Sequence, residues 1–158
     1  MTELKLIAKP EIVDTEARPI AKLYAKVPTS EIGQQMGKLV TELADELRAQ
    51  NVRPAGPWFT HHFRRPDEFF DFEVCFPVAA PIKPNGRVQP GEWPAMKVVR
   101  TTYTGPYNGL VPAWMEFLKE IEQMGLQISP EIWEVYLKNP DNEPDSAKWT
   151  TELNRPLA

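Results

Sequence analysis

The sequence predicts an α+β fold made of two β-α-β-β units that are related by a pseudo-two-fold axis. Two observations support this prediction. Two segments have the 3.6-residue period of amphipathic helices, and the landmarks around them recur in the same order in both halves of the chain. The 17 prolines and 8 glycines divide the remainder into short segments, which is typical of strands and turns. We therefore expect one domain over residues 1–158, with antiparallel sheets and two long helices.

The first predicted helix covers residues 30–50, where apolar residues form one stripe and charged residues occupy the other face. Thr29 or Ser30 is expected to cap its amino terminus. The second predicted helix covers residues 108–124, and Gly125 is placed to cap its carboxyl terminus.

The landmarks around the helices define the repeat. Pro28 stands shortly before the first helix, and Pro106 stands likewise before the second. Two further pairs of segments match, one after each helix and one at the end of each half: WFTHHFRRPD with IWEVYLKNPD, and FDFEVCFPV with WTTELNRPL. These matches place one repeat at about 11–80 and the other at about 95–158.

Each repeat is expected to open with a strand, at 17–27 in the first and 94–104 in the second. The segment between the repeats, 81–94, has the composition of a loop and is expected to be a linker. One helix on a three-stranded sheet forms a thin core, so the halves are expected to dock and to enclose a ligand cleft between them.

Composition and charge argue against several classes of function. A net charge of −4 and a pI near 5.3 argue against direct binding of nucleic acid. No apolar segment approaches the length of a membrane span, and the first residues lack the apolar core of a signal peptide. The single cysteine, Cys75, favours a cytoplasmic setting. His61 and His62 point to opposite faces of one strand, so neither a metal nor another cofactor is expected.

Glu134 is the unusual residue of the strand that begins IWEVYL. A carboxylate in an apolar strand either faces water or lies in a desolvated site that must stabilise it. Alternation places Glu134 and Tyr136 on the same face. An anion among aromatic rings attracts flat organic cations, and one cation–aromatic contact is worth ~0.5–2 kcal/mol. A second interpretation is that Glu134 is a general base, because burial favours the neutral form of a carboxyl group and so raises its pKa. A third interpretation is that Glu134 lies on the surface and pairs with a lysine.

The repeat supplies further polar candidates. Alignment of Pro66 with Pro140 makes Thr60 equivalent to Glu134 and His62 equivalent to Tyr136. The first half therefore offers the cleft a hydroxyl group and an imidazole. His62 is either an acid or base near Glu134, which would make the cleft sensitive to pH, or a solvated strand residue.

The whole pattern resembles the GyrI-like small-molecule-binding domain, which is the effector-binding domain of AraC-type and MerR-type multidrug regulators. The resemblance covers 11–157. Four motifs carry it: Gly-Pro-Tyr at 105–107, the helix tryptophan at 114, Glu-x-Tyr-Leu at 134–137 and Thr-Glu-x-x-x-Pro-Leu at 151–157. The resemblance implies the duplicated fold with a ligand cleft between the halves. Regulators of this family carry a DNA-binding module beside the domain, and this chain is expected to be a stand-alone member.

The resemblance also implies site residues. It places the Glu134 carboxylate in the cleft, with Tyr136 beside it and Tyr107 and Trp114 on its walls, although Trp114 also suits the core of an amphipathic helix. Weaker candidates are the aromatic residues Tyr103, Phe59, Trp58 and Trp93. Glu152 is often near the ligand in this family, but its recurrence as Glu73 in the other half favours a structural role. The pair Asn154-Arg155 replaces an aromatic-aliphatic pair of the family, so ligand preference is expected to differ.

Three functions agree with these residues. The first is a stand-alone cytoplasmic protein that binds small hydrophobic or cationic aromatic molecules, in the manner of a multidrug-binding domain. The second is a hydrolase of cyclopropane-containing genotoxins that uses Glu134 and Tyr136. The third is a protein–protein interaction that resembles gyrase inhibition.

Overall fold

The computed structural model describes residues 6–158. Residues 1–5, the first part of the segment that is not expected to be a signal peptide, lie outside the described residues. One antiparallel sheet of eight strands runs through the molecule in the order β1-β6-β8-β7-β3-β4-β2-β5. Within residues 6–158, no helix has the length and hydropathy to cross a membrane. The elements are β1 (Glu11–Asp14), β2 (Arg18–Pro28), α1 (Ile32–Ala49), β3 (Phe59–His62), β4 (Phe69–Pro77), β5 (Val88–Trp93), β6 (Lys97–Thr104), α2 (Leu110–Gln123), β7 (Ile132–Lys138) and β8 (Thr150–Pro156).

The sheet confirms the predicted fold class and duplication. The unit β2-α1-β3-β4 is followed by β6-α2-β7-β8, and the two units join edge to edge where β3 pairs with β7. Thr60 lies directly opposite Glu134 in this pairing. Because these two residues are also equivalent positions of the sequence repeat, the pseudo-two-fold axis passes between them.

The strand register agrees with the alignment of the two halves. Lys22 pairs with Cys75 in the first half, and Arg100 pairs with Asn154 in the second. With Pro28 aligned on Pro106 and Pro77 on Pro156, these two pairs occupy equivalent positions. Both halves therefore share one backbone arrangement as well as one order of elements.

Each helix packs on the outer strands of its own half. Leu39, Leu43 and Leu47 of α1 lie against apolar residues of β2 and β4. Residues Ala113, Phe117 and Ile121 of α2 lie against residues of β6 and β8. These side chains are almost completely buried, and each leucine or phenylalanine contributes about 1.5–3 kcal/mol relative to an exposed position. A third cluster, which includes Phe59, Trp93 and Trp133, covers the opposite face of the central strands.

The prediction of a loop over 81–94 is wrong for its second half. Residues Val88–Trp93 form β5, which pairs with β2 at one edge of the sheet. Pro90 and Gly91 obscure the strand pattern in the sequence, but an edge strand tolerates proline because one side of it makes no ladder bonds. A Cβ atom at position 91 would lie 2.9 Å from Cδ of Lys22, so a larger residue there would displace this flexible side chain. The opposite edge strand, β1, pairs with β6 and was not predicted.

The predicted amino-terminal cap of the first helix is also wrong. Residues Thr29–Glu31 form a 3-10 turn before α1, and the Thr29 hydroxyl donates to the carbonyl oxygen of Asp67 at 2.7 Å instead of capping the helix. An equivalent turn, Tyr107–Gly109, precedes α2. Gly125 follows α2 with a φ of 71°, a left-handed conformation that favours glycine after a helix, as predicted.

We expect Gly109→Ala to destabilise the fold, because the new Cβ atom would lie 2.7 Å from Cζ of the buried Tyr103 ring. Displacing that ring would strain the bond from the Tyr103 hydroxyl to the Pro106 carbonyl. The expected cost is about 1–3 kcal/mol. Urea unfolding measures it, with Gly37→Ala as the control: nothing lies within 4 Å of a Cβ atom there, so this variant should gain up to about 1 kcal/mol. Equal stability of the two variants would contradict the packing described here.

Candidate functional site

A cavity of about 530 Å³ lies between α1 and α2, above the central strands of the sheet. Its size is ordinary for a site that binds a small molecule. A wider groove of about 860 Å³ follows the outer side of α1, but polar and charged side chains open to solvent form most of it. The main cavity is largely apolar and is lined by Thr29, Ile32, Gly33, Met36, Trp58, His62, Arg65, Pro66, Phe70, Tyr107, Leu110, Val111, Trp114, Met115, Leu118, Ile132, Glu134, Tyr136 and Arg155.

The two helices, together with the 3-10 turns that precede them, contribute equivalent positions to the walls of the cavity. The first repeat supplies smaller or more flexible side chains, and the second supplies more of the rings. With Pro28 aligned on Pro106, the matched wall residues are Thr29 with Tyr107, Ile32 with Leu110, and Met36 with Trp114. One backbone scaffold therefore carries two chemically different walls.

Glu134 lies at the floor of the cavity, half-buried, and neutral donors hold both of its carboxylate oxygens. The Tyr136 hydroxyl donates to Oε2 at 2.7 Å, and Nε1 of Trp114 donates to Oε1 at 2.5 Å. Within residues 6–158, no lysine, arginine or histidine forms an ion pair with this carboxylate. The orientation of the anion is fixed while its charge remains without a cationic partner.

A directed chain of hydrogen bonds runs beneath the floor to Glu134. Because the Tyr136 proton is given to Glu134, the Tyr136 oxygen accepts from Thr60, whose Oγ1 atom is 2.9 Å away. Thr60 then accepts from Nε2 of His62 at 3.1 Å. This order assigns the Nε2–H tautomer to His62, so that three successive donors point toward the carboxylate.

Burial keeps the surrounding groups neutral. Burial, together with the charge of Glu134, raises the pKa of Tyr136 well above its ordinary value of 10.0. Burial raises the pKa of Tyr107 to about 12, and the charges of Asp141 and Glu134 add to the effect. For His62, burial lowers the pKa below its usual 6.5 and outweighs the opposing effect of Glu134. At neutral pH both phenols retain their protons and His62 is uncharged.

Aromatic rings surround the carboxylate. Trp58 stacks on Tyr136, with 4.1 Å between the ring centroids and 30° between the planes. Tyr107 meets Tyr136 edge to face at 5.9 Å, and Trp114 reaches Glu134 from α2. The structure thus brings Glu134, Tyr136, Tyr107 and Trp114 together at the cavity. Trp58, a weaker candidate in the sequence, is a fifth member of this group.

Five other candidates do not line the cavity: Phe59, Thr60, Trp93, Tyr103 and Glu152. Phe59 is completely buried on the opposite face of the sheet, where it contacts Trp93 and Trp133. Tyr103 lies in the core beneath α2 and donates to the Pro106 carbonyl at 2.7 Å. Glu152 belongs, like Phe59, to the opposite face, because neighbouring residues of a strand alternate in direction. Thr60 is completely buried and contributes to the site only through its hydrogen bonds.

Glu152 instead forms one of two equivalent ion pairs. Its Oε1 atom lies 3.3 Å from Nε of Arg100, and in the first half Oε2 of Glu73 lies 3.3 Å from Nζ of Lys22. Lys22 and Arg100 occupy matched positions of the repeat. The recurrence of these pairs supports a structural role for both glutamates.

Arg155 is a charged cavity residue that the sequence does not predict for the site. It was noted only as a departure from the family pattern, yet its side chain is buried and lines the cavity. Alternation along β8 could have placed it, since Arg155 is two residues beyond Leu153, which lies directly opposite Glu134. The sequence predicts an apolar stripe on the first helix but does not predict that Ile32 and Met36 of this stripe line the cavity.

A duplicated α+β fold with an aromatic cavity between its helices defines a domain that binds small molecules. The chain belongs to the family of GyrI-like small molecule binding domains, whose family model matches residues 8–158. No curated protein sequence matches the chain significantly.

Solved structures show the same fold. The EcmrR C-terminal domain has a TM-score of 0.83 at 21% identity, with 95% of this chain and 97% of that chain covered. In the EcmrR–DNA complex, 96% of this chain matches only 57% of the EcmrR chain, at 22% identity and a TM-score of 0.85. SAV2435 bound to tetraphenylphosphonium has a TM-score of 0.62 at 12% identity, with 96% of this chain and 94% of the SAV2435 chain covered. A hydrolase encoded by lin2189 from Listeria innocua has a TM-score of 0.61 at 14% identity, with 98% of this chain and 93% of the hydrolase chain covered.

We expect His62 to make stability dependent on pH. Its pKa is lower in the folded state than the usual 6.5, so the unfolded chain takes up the proton first as the pH falls. The contribution of His62 is therefore complete above about pH 6.5 and is lost as the pH falls toward the folded-state pKa. Urea unfolding at about pH 7.5 and about pH 5.0 should show a larger loss for the wild type than for His62→Gln. Glutamine can still donate to Thr60, and equal losses in the two proteins would disprove the assignment.

Proposed function

We propose that this protein is a cytoplasmic receptor or sequestering protein for aromatic cations, with the broad ligand range of a multidrug-binding domain. The observation that carries the proposal is the carboxylate of Glu134, which lies among aromatic rings without a cationic partner in the described residues. Supporting this, SAV2435 shares the fold and its structure contains the lipophilic cation tetraphenylphosphonium.

The energetics favour a cation in such a site. Trp114 and Tyr136 hold the carboxylate in place before a ligand arrives, so little reorganisation accompanies binding. At 4 Å and an effective dielectric constant near 20, two opposite charges attract by about 4 kcal/mol before the desolvation of the ligand is subtracted. Contact with a ring face adds ~0.5–2 kcal/mol. A neutral molecule of the same shape gains the apolar contacts alone.

Flexible walls suit a site that accepts different ligands. Met36 on α1 and Met115 on α2 both line the cavity. Methionine is unbranched and adapts to irregular shapes at little cost. The rings near Glu134 are held by stacking and hydrogen bonds, whereas these thioethers can move. We infer that charge is selected strictly at the floor and that shape is selected loosely at the walls.

Tetraphenylphosphonium and tetraphenylborate test the charge selection, because the two ions have nearly the same shape and opposite charge. We expect the cation to quench tryptophan fluorescence, since Trp58 and Trp114 line the cavity, and the anion to bind much more weakly. Glu134→Gln should weaken binding of the cation by about tenfold or more, which corresponds to ~1.4 kcal/mol. Calorimetric titration gives the same dissociation constants independently.

Glu152→Gln is the matched control, since it removes a carboxylate from the opposite face of the same sheet. Its affinity for tetraphenylphosphonium should equal that of the wild type. Unchanged affinity in Glu134→Gln, or an equal loss in both variants, would refute the proposed role of Glu134.

Hydrolysis of an electrophilic small molecule is a second candidate function. The observation in its favour is the contact between the Tyr136 phenol and Glu134, which places a proton donor 2.7 Å from a carboxylate in a shielded cavity. Glu134 would accept a proton from water as the water oxygen bonds to a cyclopropane carbon, and Tyr136 would protonate the atom that receives the electrons of the broken C–C bond. The fold is shared with a hydrolase of Listeria innocua, which also supports this candidate.

Mass spectrometry after incubation with a cyclopropane-containing alkylating agent tests hydrolysis. A hydrolase would yield the ring-opened product with one added water over many turnovers, and Glu134→Gln and Tyr136→Phe would each lower the rate by about 10²-fold or more. If the compound is returned unchanged but remains with the protein on a desalting column, hydrolysis is excluded for that substrate and the binding function is supported.

A further inference from the structure

A second buried charge lines the cavity without an ionic partner. Arg155 is only 8% exposed, and its Nη2 atom donates to the carbonyl oxygen of Ser129 at 2.7 Å. Its Nε atom has no hydrogen-bond partner, and among residues 6–158 no carboxylate lies within ion-pair distance of the guanidinium. Burial lowers the pKa of Arg155 below its ordinary value, but a guanidinium remains protonated in proteins. A buried charge without a partner is costly for the fold, so its presence requires an explanation.

Arg155 and Glu134 are close enough in the sheet to pair, but they do not. Glu134 lies opposite Leu153, and Arg155 is two residues further along the same face of β8. Such diagonal neighbours have backbones only about 7–8 Å apart, which is within reach of long side chains. Other bonds hold the two charges apart: Trp114 and Tyr136 bind the carboxylate, and the Ser129 carbonyl binds the guanidinium.

The cavity therefore has two separate poles of opposite sign on one floor. The anionic pole at Glu134 lies among rings, near the pseudo-two-fold axis. The cationic pole at Arg155 lies next to Ile132, toward the start of β7. The matched position of the first repeat is Phe76, so the cationic pole belongs to the second repeat alone.

We propose that the ligand of this protein is dipolar, with a flat aromatic body, a cationic end that binds Glu134 and a carboxylate or carbonyl group that binds Arg155. This inference rests on the proposed function, because it assigns the second half of the same ligand. A simple lipophilic cation fills only one pole and leaves the guanidinium without a counter-charge. A zwitterion satisfies both poles and compensates both buried charges.

Three cations with one frame test the inference: N-benzylquinolinium, its 4-carboxybenzyl analogue and the methyl ester of that analogue. Calorimetric titration of the full chain gives the dissociation constants. We expect the wild type to bind the carboxylate compound about tenfold more tightly than the ester and the parent cation. Arg155→Gln should remove this preference, since glutamine can still donate to the Ser129 carbonyl but carries no charge.

Arg65→Gln is the comparison variant, because Arg65 is an exposed guanidinium that lines the same cavity, contacts Sδ of Met115 and is the competing partner for a ligand carboxylate. This variant should keep the preference for the carboxylate. A preference that survives in Arg155→Gln, or that is lost in Arg65→Gln instead, overturns the inference. So does a wild type that binds the carboxylate compound no better than the ester. If no compound of the series binds the wild type, the proposed function itself fails, which is a different result.

A measurement on the wild type guards against a variant that does not fold. The Nε–H proton of Arg155 can be followed by nuclear magnetic resonance while each compound is added. A carboxylate at the guanidinium should move this signal downfield, and the parent cation should leave it nearly unchanged. Equal responses to the two compounds would reject the cationic pole.

Discussion

The backbone pairing of β3 with β7 is the constraint on which the rest of the structure depends. It joins the two repeats into one sheet and places the pseudo-two-fold axis between Thr60 and Glu134. Each helix already packs on the outer strands of its own half, so the two central strands receive no helix. The gap above them is the cavity. A ligand site at the junction is thus a geometric result of joining two such units edge to edge.

Duplication makes the backbone of the site nearly symmetric. The differences between the side chains of the two repeats make its chemistry asymmetric. Matched positions hold Thr60 and Glu134 at the floor, and Met36 and Trp114 on the walls. The alignment of the repeats sets a neutral residue, Thr60, against a charged one, Glu134. Most polar groups of the cavity come from the second repeat. The charges of the cavity are therefore distributed asymmetrically, although its backbone is nearly symmetric. The cavity therefore presents a different charge at each of its two ends.

The sequence predicts well those features that depend on the periodic spacing of apolar residues within one segment. Helical and strand periods locate both helices and put Glu134 and Tyr136 on one face, and the prolines align the repeats. The edge strand β5 escapes prediction because pairing with β2 overrides its proline and glycine, and pairing is not a local property. Residue type alone makes Phe59 a candidate, but the alternation of side chains along β3 places it on the face opposite the cavity. Arg155 was recognised as unusual, but only the register of β8 places it beside the site.

The two outermost strands have a consequence for the behaviour of the chain in a crowded solution. A sheet that is extended through its centre by strand pairing exposes the same pairing groups at its outer edges, where other chains could add. β1 has only four residues, and β5 carries Pro90 within its six. Short strands and prolines make poor templates for a further strand. The edges therefore protect the protein against edge-to-edge aggregation, and substitutions that lengthen β1 or replace Pro90 would weaken that protection.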